Sequence, residues 1–223
     1  MNIIKEKLSG TTPQCDNSFW FFGCSFTAGY PLCNEWADFD FKSFYDGKYK
    51  NSIYPKLLAK HFDLTYRNYA TPGASNQTTL VKLSNCLQLM KPGDKVWVNS
   101  TWPGRLPVPS EPKNGVVDVL MMTTGDETLS LKDWGDDGND LITAYLSEII
   151  LPNDKIVYHH WRTALFDVTT HLNSIGIKAY LWDAMDKGHN YELIRDWDKD
   201  SDDAHLSPNG HQKVFEDSIE FFM

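Results

Sequence analysis

Two hydrophobic patterns alternate along the chain. Short apolar or alternating runs, which are typical of buried strands, occupy residues 18–22, 64–69, 95–99 and 177–182. Apolar residues at helical spacing lie between and after these runs, in residues 52–62, 75–90, 141–150, 154–174 and 208–222. Such alternation implies right-handed crossovers and a mostly parallel sheet with helices on both faces. The pattern therefore predicts an α/β fold, specifically a three-layer α/β/α sandwich.

The length of the chain indicates one domain. A chain of 223 residues fits a single α/β domain with a well-buried core, and 41% of its residues are apolar. Residues 103–140 break the alternation with several prolines and many glycines and aspartates, which predicts a long loop or lid. We therefore treat residues 1–223 as one domain.

The charge of the chain limits its partners. Acidic residues outnumber basic ones by 30 to 21, which gives a net charge of −9 at pH 7. Because a phosphate backbone is bound mainly through basic side chains, nucleic acid is not an expected partner. No run approaches the roughly 18 apolar residues of a membrane span, so no membrane partner is expected. The sequence leaves the oligomeric state open.

The N-terminus and the cysteines bear on localisation and cofactors. Residues 1–7 carry charges where a signal peptide needs an apolar stretch. The four cysteines have neither metal-ligand nor redox spacing, which favours reduced thiols in a cytoplasmic protein without a metal or other cofactor. If the chain is viral, a place in the virion is also open.

Three segments carry candidate chemistry. Ser25 follows an apolar run through a turn of small residues, and Asp202 precedes His205 by three positions. The turn at residues 68–76 is rich in small residues that could present backbone N–H groups. A nucleophile, a base with its orienting carboxylate, and an anion-stabilising turn are the set that acyl transfer by a serine needs. The sequence therefore predicts a serine esterase.

The predicted positions of these segments support a common site. Ser25, Gly73 and the segment at residues 99–105 each follow a predicted strand directly. In parallel sheets, ligands bind at the carboxyl ends of the strands. We therefore expect these loops to meet at one edge of the sheet.

The same blocks resemble the SGNH/GDSL hydrolases, a family of flavodoxin-like serine esterases and lipases. The sequence Gly-Cys-Ser-Phe-Thr (residues 23–27) resembles the first block, with Cys24 where aspartate is usual. Residues 54–59 and 68–75 resemble the helix, strand and second block, and residues 202–211 resemble the last block. The resemblance extends from about residue 18 to the end, apart from insertions near residues 31–50 and 103–140.

The resemblance implies roles for individual residues. Ser25 would be the nucleophile, His205 the base, and Asp202 the residue that orients the base. The backbone N–H groups of Ser25 and Gly73 would stabilise the oxyanion.

The third block departs from the family pattern. The family usually places a further asparagine donor after the third strand, where this chain has Pro103. Asn99 could replace that donor, although it lies several residues earlier. Ser100, Thr101, Asn76 and Arg105 are equally open as polar contributors, the last two as substrate-binding residues.

The resemblance and the acidic, aromatic-rich composition favour a small, polar substrate. We expect removal of a small acyl group, such as acetyl, from a carbohydrate or a similar polar ester. The departures at Cys24 and Pro103 motivate an alternative, an SGNH-fold binding or structural module with impaired catalysis, for example a virion component.

Overall fold

The computed structural model describes residues 17–30, 32, 49, 51–101, 154–183 and 205–223. Its elements, in chain order, are β1 (Ser18–Phe22), α1 (Ser25–Ala28), α2 (Tyr54–His61), β2 (Thr65–Asn68), α3 (Asn76–Cys86) with a 3₁₀ turn (Leu87–Leu89), β3 (Lys95–Ser100), α4 (Asp154–Ser174), β4 (Lys178–Asp183) and α5 (Pro208–Phe222). Several sequence predictions lie outside the described residues: the loop at residues 103–140, the helix at 141–150, and the site residues Arg105 and Asp202.

The four strands form one parallel sheet in the order β2-β1-β3-β4. β1 pairs with β2 from Ser18 against Thr65 and with β3 from Phe19 against Lys95. β3 and β4 pair over their whole lengths, ending at Ser100 against Asp183. The α/β fold with a parallel central sheet is therefore confirmed.

Strand residues alternate between two cores. Phe19 and Phe21 of β1 pack on one face of the sheet against α2 and α5. Trp20 and Phe22 pack on the other face against α3 and α4. All four side chains are almost fully buried, because each face of a parallel sheet is covered by helices. The sheet is thus the middle of three layers, as the sequence predicts.

The order of the strands places a switch point between β1 and β3. The connection from β1 to β2 runs through α2 on one face, whereas the connections from β2 to β3 and from β3 to β4 run through α3 and α4 on the other face. In open parallel sheets, ligands bind at such a point, at the carboxyl ends of the strands. Ser25 follows β1 and Thr101 follows β3 there.

The opposite end of the sheet is closed by a buried carboxylate. Asp94 accepts hydrogen bonds from the Ser18 N–H at 2.8 Å and the Trp20 Nε1–H at 2.9 Å. Asp94 is 1% exposed, so its oxygens are satisfied by these hydrogen bonds and not by solvent. The Asp94 carboxylate therefore links β1 to the turn before β3. The candidate site residues lie at the opposite edge of the sheet, where the strands end.

Within the described ranges, no helix has both the length and the apolar character that a bilayer crossing requires.

Candidate active site

The turn that carries Ser25 is fixed by crowding at Gly23. Gly23 has a φ of +151°, and a Cβ placed on it would lie 2.7 Å from the Asn99 Cβ and 2.9 Å from the Thr27 Oγ1. Only glycine fits there without displacing β3, since 2.7 Å is far below van der Waals contact. Ser25 then begins α1 and is 4% exposed.

The helix after Ser25 is a single turn. The Ser25 carbonyl accepts hydrogen bonds from the Gly29 N–H and the Tyr30 N–H, both at 3.0 Å. Gly29 adopts a φ of +85°, which ends the helix and reverses the chain. The Thr27 Oγ1 and the Tyr54 hydroxyl share a hydrogen bond of 2.6 Å, which fastens α1 to α2.

The loop after β2, which contains Gly73, is docked on the Ser25 turn. The Thr71 N–H donates to the Gly23 carbonyl at 3.1 Å, so pairing with the chain of β1 continues past the end of β2. The Ala74 N–H donates to the Thr71 carbonyl at 3.1 Å across Gly73, which has a φ of +78°. Proline followed by a left-handed glycine is the pattern of a type II turn. Gly73 therefore lies two residues after Thr71, whose N–H is bonded to the turn that carries Ser25.

Asn99 lies against the nucleophile turn from the side of β3. Its side chain is fully buried, and its Nδ2 is 3.5 Å from the Cys24 Sγ. Its Oδ1 has no hydrogen-bond partner among the described residues. Leaving a buried carbonyl oxygen unbonded costs about 1–3 kcal/mol, so such a group calls for a functional explanation.

Asn76 braces the chain after β3. Its Nδ2 donates to the Thr101 carbonyl at 2.8 Å, and its Oδ1 accepts from the Thr101 N–H at 2.7 Å. Asn76 is 3% exposed, and its amide is occupied by this backbone pair. The described contacts thus make Asn76 a support for the segment after β3, and substrate binding by it stays a prediction.

His205 lies beside the residues that follow Ser25. Its ring centroid is 5.6 Å from that of Phe26 and 4.7 Å from that of Tyr30. Two residues later, the Ser207 Oγ caps α5 by accepting the Gly210 N–H at 3.1 Å. The structure therefore brings the segments of Ser25, Gly73, Asn99 and His205 together at the carboxyl edge of the sheet, although they are far apart in sequence.

A second histidine, His211, is buried behind this edge. Its Nδ1 accepts the Tyr54 N–H at 3.3 Å, and its ring stacks on the Tyr54 ring with centroids 5.6 Å apart. Burial, with a smaller contribution from the charge of His205, lowers the pKa of His211 to about 3. His211 is therefore neutral at any physiological pH and packs α5 against α2.

A polar network that the sequence did not predict lies at the ends of β3 and β4. The Ser100 Oγ donates to the Asp183 Oδ1 at 2.8 Å, and the Arg162 Nε donates to the Asp183 Oδ2 at 2.9 Å. Ser100 is thus engaged by a carboxylate. The one sequence signal was an aspartate directly after a predicted strand, and its partners come from other elements.

Potential metal ligands and two cysteines lie within the described part of the chain. Within it, no three His, Cys, Asp or Glu side chains lie close enough together to hold a metal ion. Cys24 and Cys86 are both buried and unpaired. Burial raises the pKa of Cys86 to about 11, so this thiol stays protonated and unreactive.

Comparison with known proteins gave matches only among solved structures. No family model matches the chain, and no curated protein does. A G-D-S-L family lipolytic protein from Desulfitobacterium hafniense is similar at 12% identity and a TM-score of 0.42, over 92% of this chain and 99% of that one.

Two further matches are esterases by name. A carbohydrate esterase, described as having divergent catalytic and non-catalytic binding functions, is 15% identical with a TM-score of 0.44, over 95% of this chain and 72% of that one. The psychrotrophic esterase EstA from Pseudoalteromonas sp. is 11% identical with a TM-score of 0.41, over 92% and 96% of the two chains. At identities and TM-scores this low, none of these matches assigns a function to this chain.

Proposed function

We propose that this protein is an SGNH-type serine esterase in which Ser25 is the nucleophile, His205 the general base and Asp202 the carboxylate that orients the base. One observation carries the proposal: the ring of His205 contacts Phe26 and Tyr30, both within five residues of Ser25, at the switch point of the sheet. Nucleophilic acyl transfer by a serine needs an imidazole within reach of the hydroxyl, and these contacts support that arrangement by placing His205 beside the segment that carries Ser25.

The proposed reaction runs in two halves. His205 takes the proton of the Ser25 hydroxyl while the Ser25 Oγ attacks the ester carbonyl carbon, and the carbonyl oxygen becomes an oxyanion. The C–O bond to the alcohol then breaks, and His205 returns the proton to that alcohol. Water, deprotonated by His205, attacks the acyl-enzyme in the same manner and releases the acid together with free Ser25.

Backbone groups of two docked loops would stabilise the oxyanion. The Ser25 N–H begins α1, and Gly73 lies in the turn held by the bond from Thr71 to Gly23. Asn99, whose Nδ2 lies beside Cys24, is the candidate for a third donor. Since one donor is typically worth ~10²–10³ in rate, an enzyme without the third would be slow but active.

The proposed substrate is a small acyl ester, such as acetyl, on a carbohydrate or a similar polar carrier. A net charge of −9 disfavours approach to an anionic lipid surface but not to a neutral sugar.

Hydrolysis of p-nitrophenyl acetate and of an acetylated xylan by three proteins tests the proposal. Ser25→Ala should lower kcat by at least ~10³-fold, because it removes the hydroxyl that forms the proposed acyl-enzyme. The matched control is Ser84→Ala, which removes an exposed hydroxyl on α3 and should leave the rate unchanged. Wild-type rates in Ser25→Ala would contradict the assignment of the nucleophile.

A catalytically impaired binding or structural module is the second candidate. The substitution of Cys24 for the aspartate usual in the family favours it, since Cys24 is 1% exposed and cannot act as a carboxylate. Binding of acetylated oligosaccharides without any hydrolysis by the wild-type protein would support this module and contradict the esterase.

A further inference from the structure

We propose that Phe26 and Tyr30, called here the aromatic wall, position the imidazole of His205 for proton transfer, with Tyr30 as the main positioning residue. The inference rests on the proposed esterase function and adds residues to it. It starts from an observation about the chain itself: the short segment that carries the nucleophile also supplies two rings against the base.

The contacts of the wall define how the imidazole is held. Tyr30 meets His205 with ring centroids 4.7 Å apart and planes at 68°, an edge-to-face arrangement. Phe26 meets it at 5.6 Å and 54°. Both distances lie within the range of favourable aromatic contact. Contacts from two rings restrict rotation of the imidazole about its side-chain bonds.

Backbone geometry couples Tyr30 to the nucleophile. The left-handed Gly29, with a φ of +85°, turns the chain so that the Tyr30 N–H donates to the Ser25 carbonyl at 3.0 Å. The residue whose ring contacts the base is therefore bonded directly to the backbone of the nucleophile.

Phe26 is anchored in the hydrophobic core. Its ring meets Trp182 of β4 edge-to-face, with centroids 6.4 Å apart. Trp182 in turn contacts Tyr54 at 5.8 Å and Trp97 at 5.5 Å. Both rings of the wall are half-buried, but only Phe26 packs against the core cluster that contains Trp182, so Tyr30 is the residue to change first.

Steady-state kinetics of Tyr30→Leu, Tyr30→Phe and Phe166→Leu tests the proposal. Tyr30→Leu removes the ring and should lower kcat roughly 10- to 100-fold with KM changed less than about threefold, because misplacement of a catalytic group acts on the chemical step. Tyr30→Phe keeps the ring and should retain nearly the wild-type kcat. Phe166→Leu changes a ring on α4 that is 59% exposed and should have no effect.

Histidine ring signals provide a readout that does not depend on activity. In protein with ¹³C-labelled histidine rings, the His205 signals are identified by their loss in His205→Gln. Tyr30→Leu should change the chemical shifts of these signals, because the ring-current effect of Tyr30 is lost. The signals of His61 and His171, on α2 and α4, should stay in place. Unchanged His205 signals would overturn the proposed contact.

The outcomes separate this inference from the proposed function. An active wild-type enzyme with an equally active Tyr30→Leu variant overturns the positioning role alone. A loss of kcat in Tyr30→Phe as large as in Tyr30→Leu also overturns it, since the hydroxyl and not the ring would then matter. A wild-type protein without any hydrolysis contradicts the esterase function and the positioning role together.

Discussion

Gly23 is the residue on which the nucleophile turn depends most. Gly23→Ala would place a Cβ 2.7 Å from the Asn99 Cβ at a φ of +151°. Overpacking and backbone strain together should lower the free energy of unfolding by about 2–4 kcal/mol, as measured by urea denaturation. Hydrolytic activity should fall as well, because Ser25 lies two residues further along.

Gly176→Ala is the matched control for that substitution. Gly176 also has a left-handed φ of +82°, but its added Cβ would meet nothing closer than 3.5 Å. Strain alone should cost about 1 kcal/mol there. Equal losses in the two variants would contradict the steric role assigned to Asn99 at the nucleophile turn.

Two asparagines show what sequence can and cannot predict about single residues. From the sequence, Asn99 is a candidate oxyanion donor and Asn76 a candidate substrate-binding residue. The structure gives Asn76 two backbone bonds to Thr101, whereas the Asn99 Oδ1 has no hydrogen-bond partner among the described residues. This difference depends on which groups fold against each amide, and that information is not local in sequence.

At the scale of elements, α5 links the site to the core through His211. Because the pKa of His211 is about 3 in the folded protein and 6.5 in the reference state, the unfolded chain binds more protons between these values. The resulting stability is fully present above pH 6.5 and is lost as pH falls toward 3. Over that window it amounts to about 3–5 kcal/mol.

His211→Phe tests this linkage through urea denaturation at several pH values. Phenylalanine keeps a ring against Tyr54 but leaves the Tyr54 N–H without its acceptor, so the variant should be less stable at pH 7 by about 1–3 kcal/mol. The difference from wild type should shrink as the pH falls from 6.5 to 4. Stability curves that run parallel over this range would contradict a buried, neutral His211.

Elements with strong periodicity were predicted well. The helices predicted at residues 154–174 and 208–222 match Asp154–Ser174 and Pro208–Phe222, the latter beginning at a proline after a serine cap. The helix predicted at residues 75–90 ends earlier as an α-helix, at Cys86, and continues as a 3₁₀ turn. Apolar spacing and end signals are local, which is why they suffice for elements.

Contacts between elements were not predictable in the same way. The bonds of Asp183 to Ser100 and Arg162 join residues from two strands and a helix. The aromatic wall joins residues near position 25 to His205, near the other end of the chain. The sequence predicts that the candidate loops lie at one edge of the sheet. It does not predict which side chains support these loops, because those contacts depend on how the elements pack.

At the scale of the whole molecule, the proposed chemistry depends on the state of one imidazole. His205 must be neutral to accept the proton of Ser25, so kcat/KM should rise with pH through a region near ~6.5. His211 cannot produce this rise, because its pKa of about 3 keeps it neutral throughout. Initial rates with p-nitrophenyl acetate from pH 5 to 8 measure the profile, and a flat profile would count against His205 as the base.

The most direct test of the central claim is covalent labelling of the nucleophile. A fluorophosphonate probe reacts with a serine hydroxyl only where a base activates it. Peptide mass spectrometry of the labelled wild-type protein should find the phosphonyl group on Ser25, with no label in Ser25→Ala and strongly slowed labelling in His205→Ala. Label on another residue, or equal labelling rates in His205→Ala and wild type, would contradict the account.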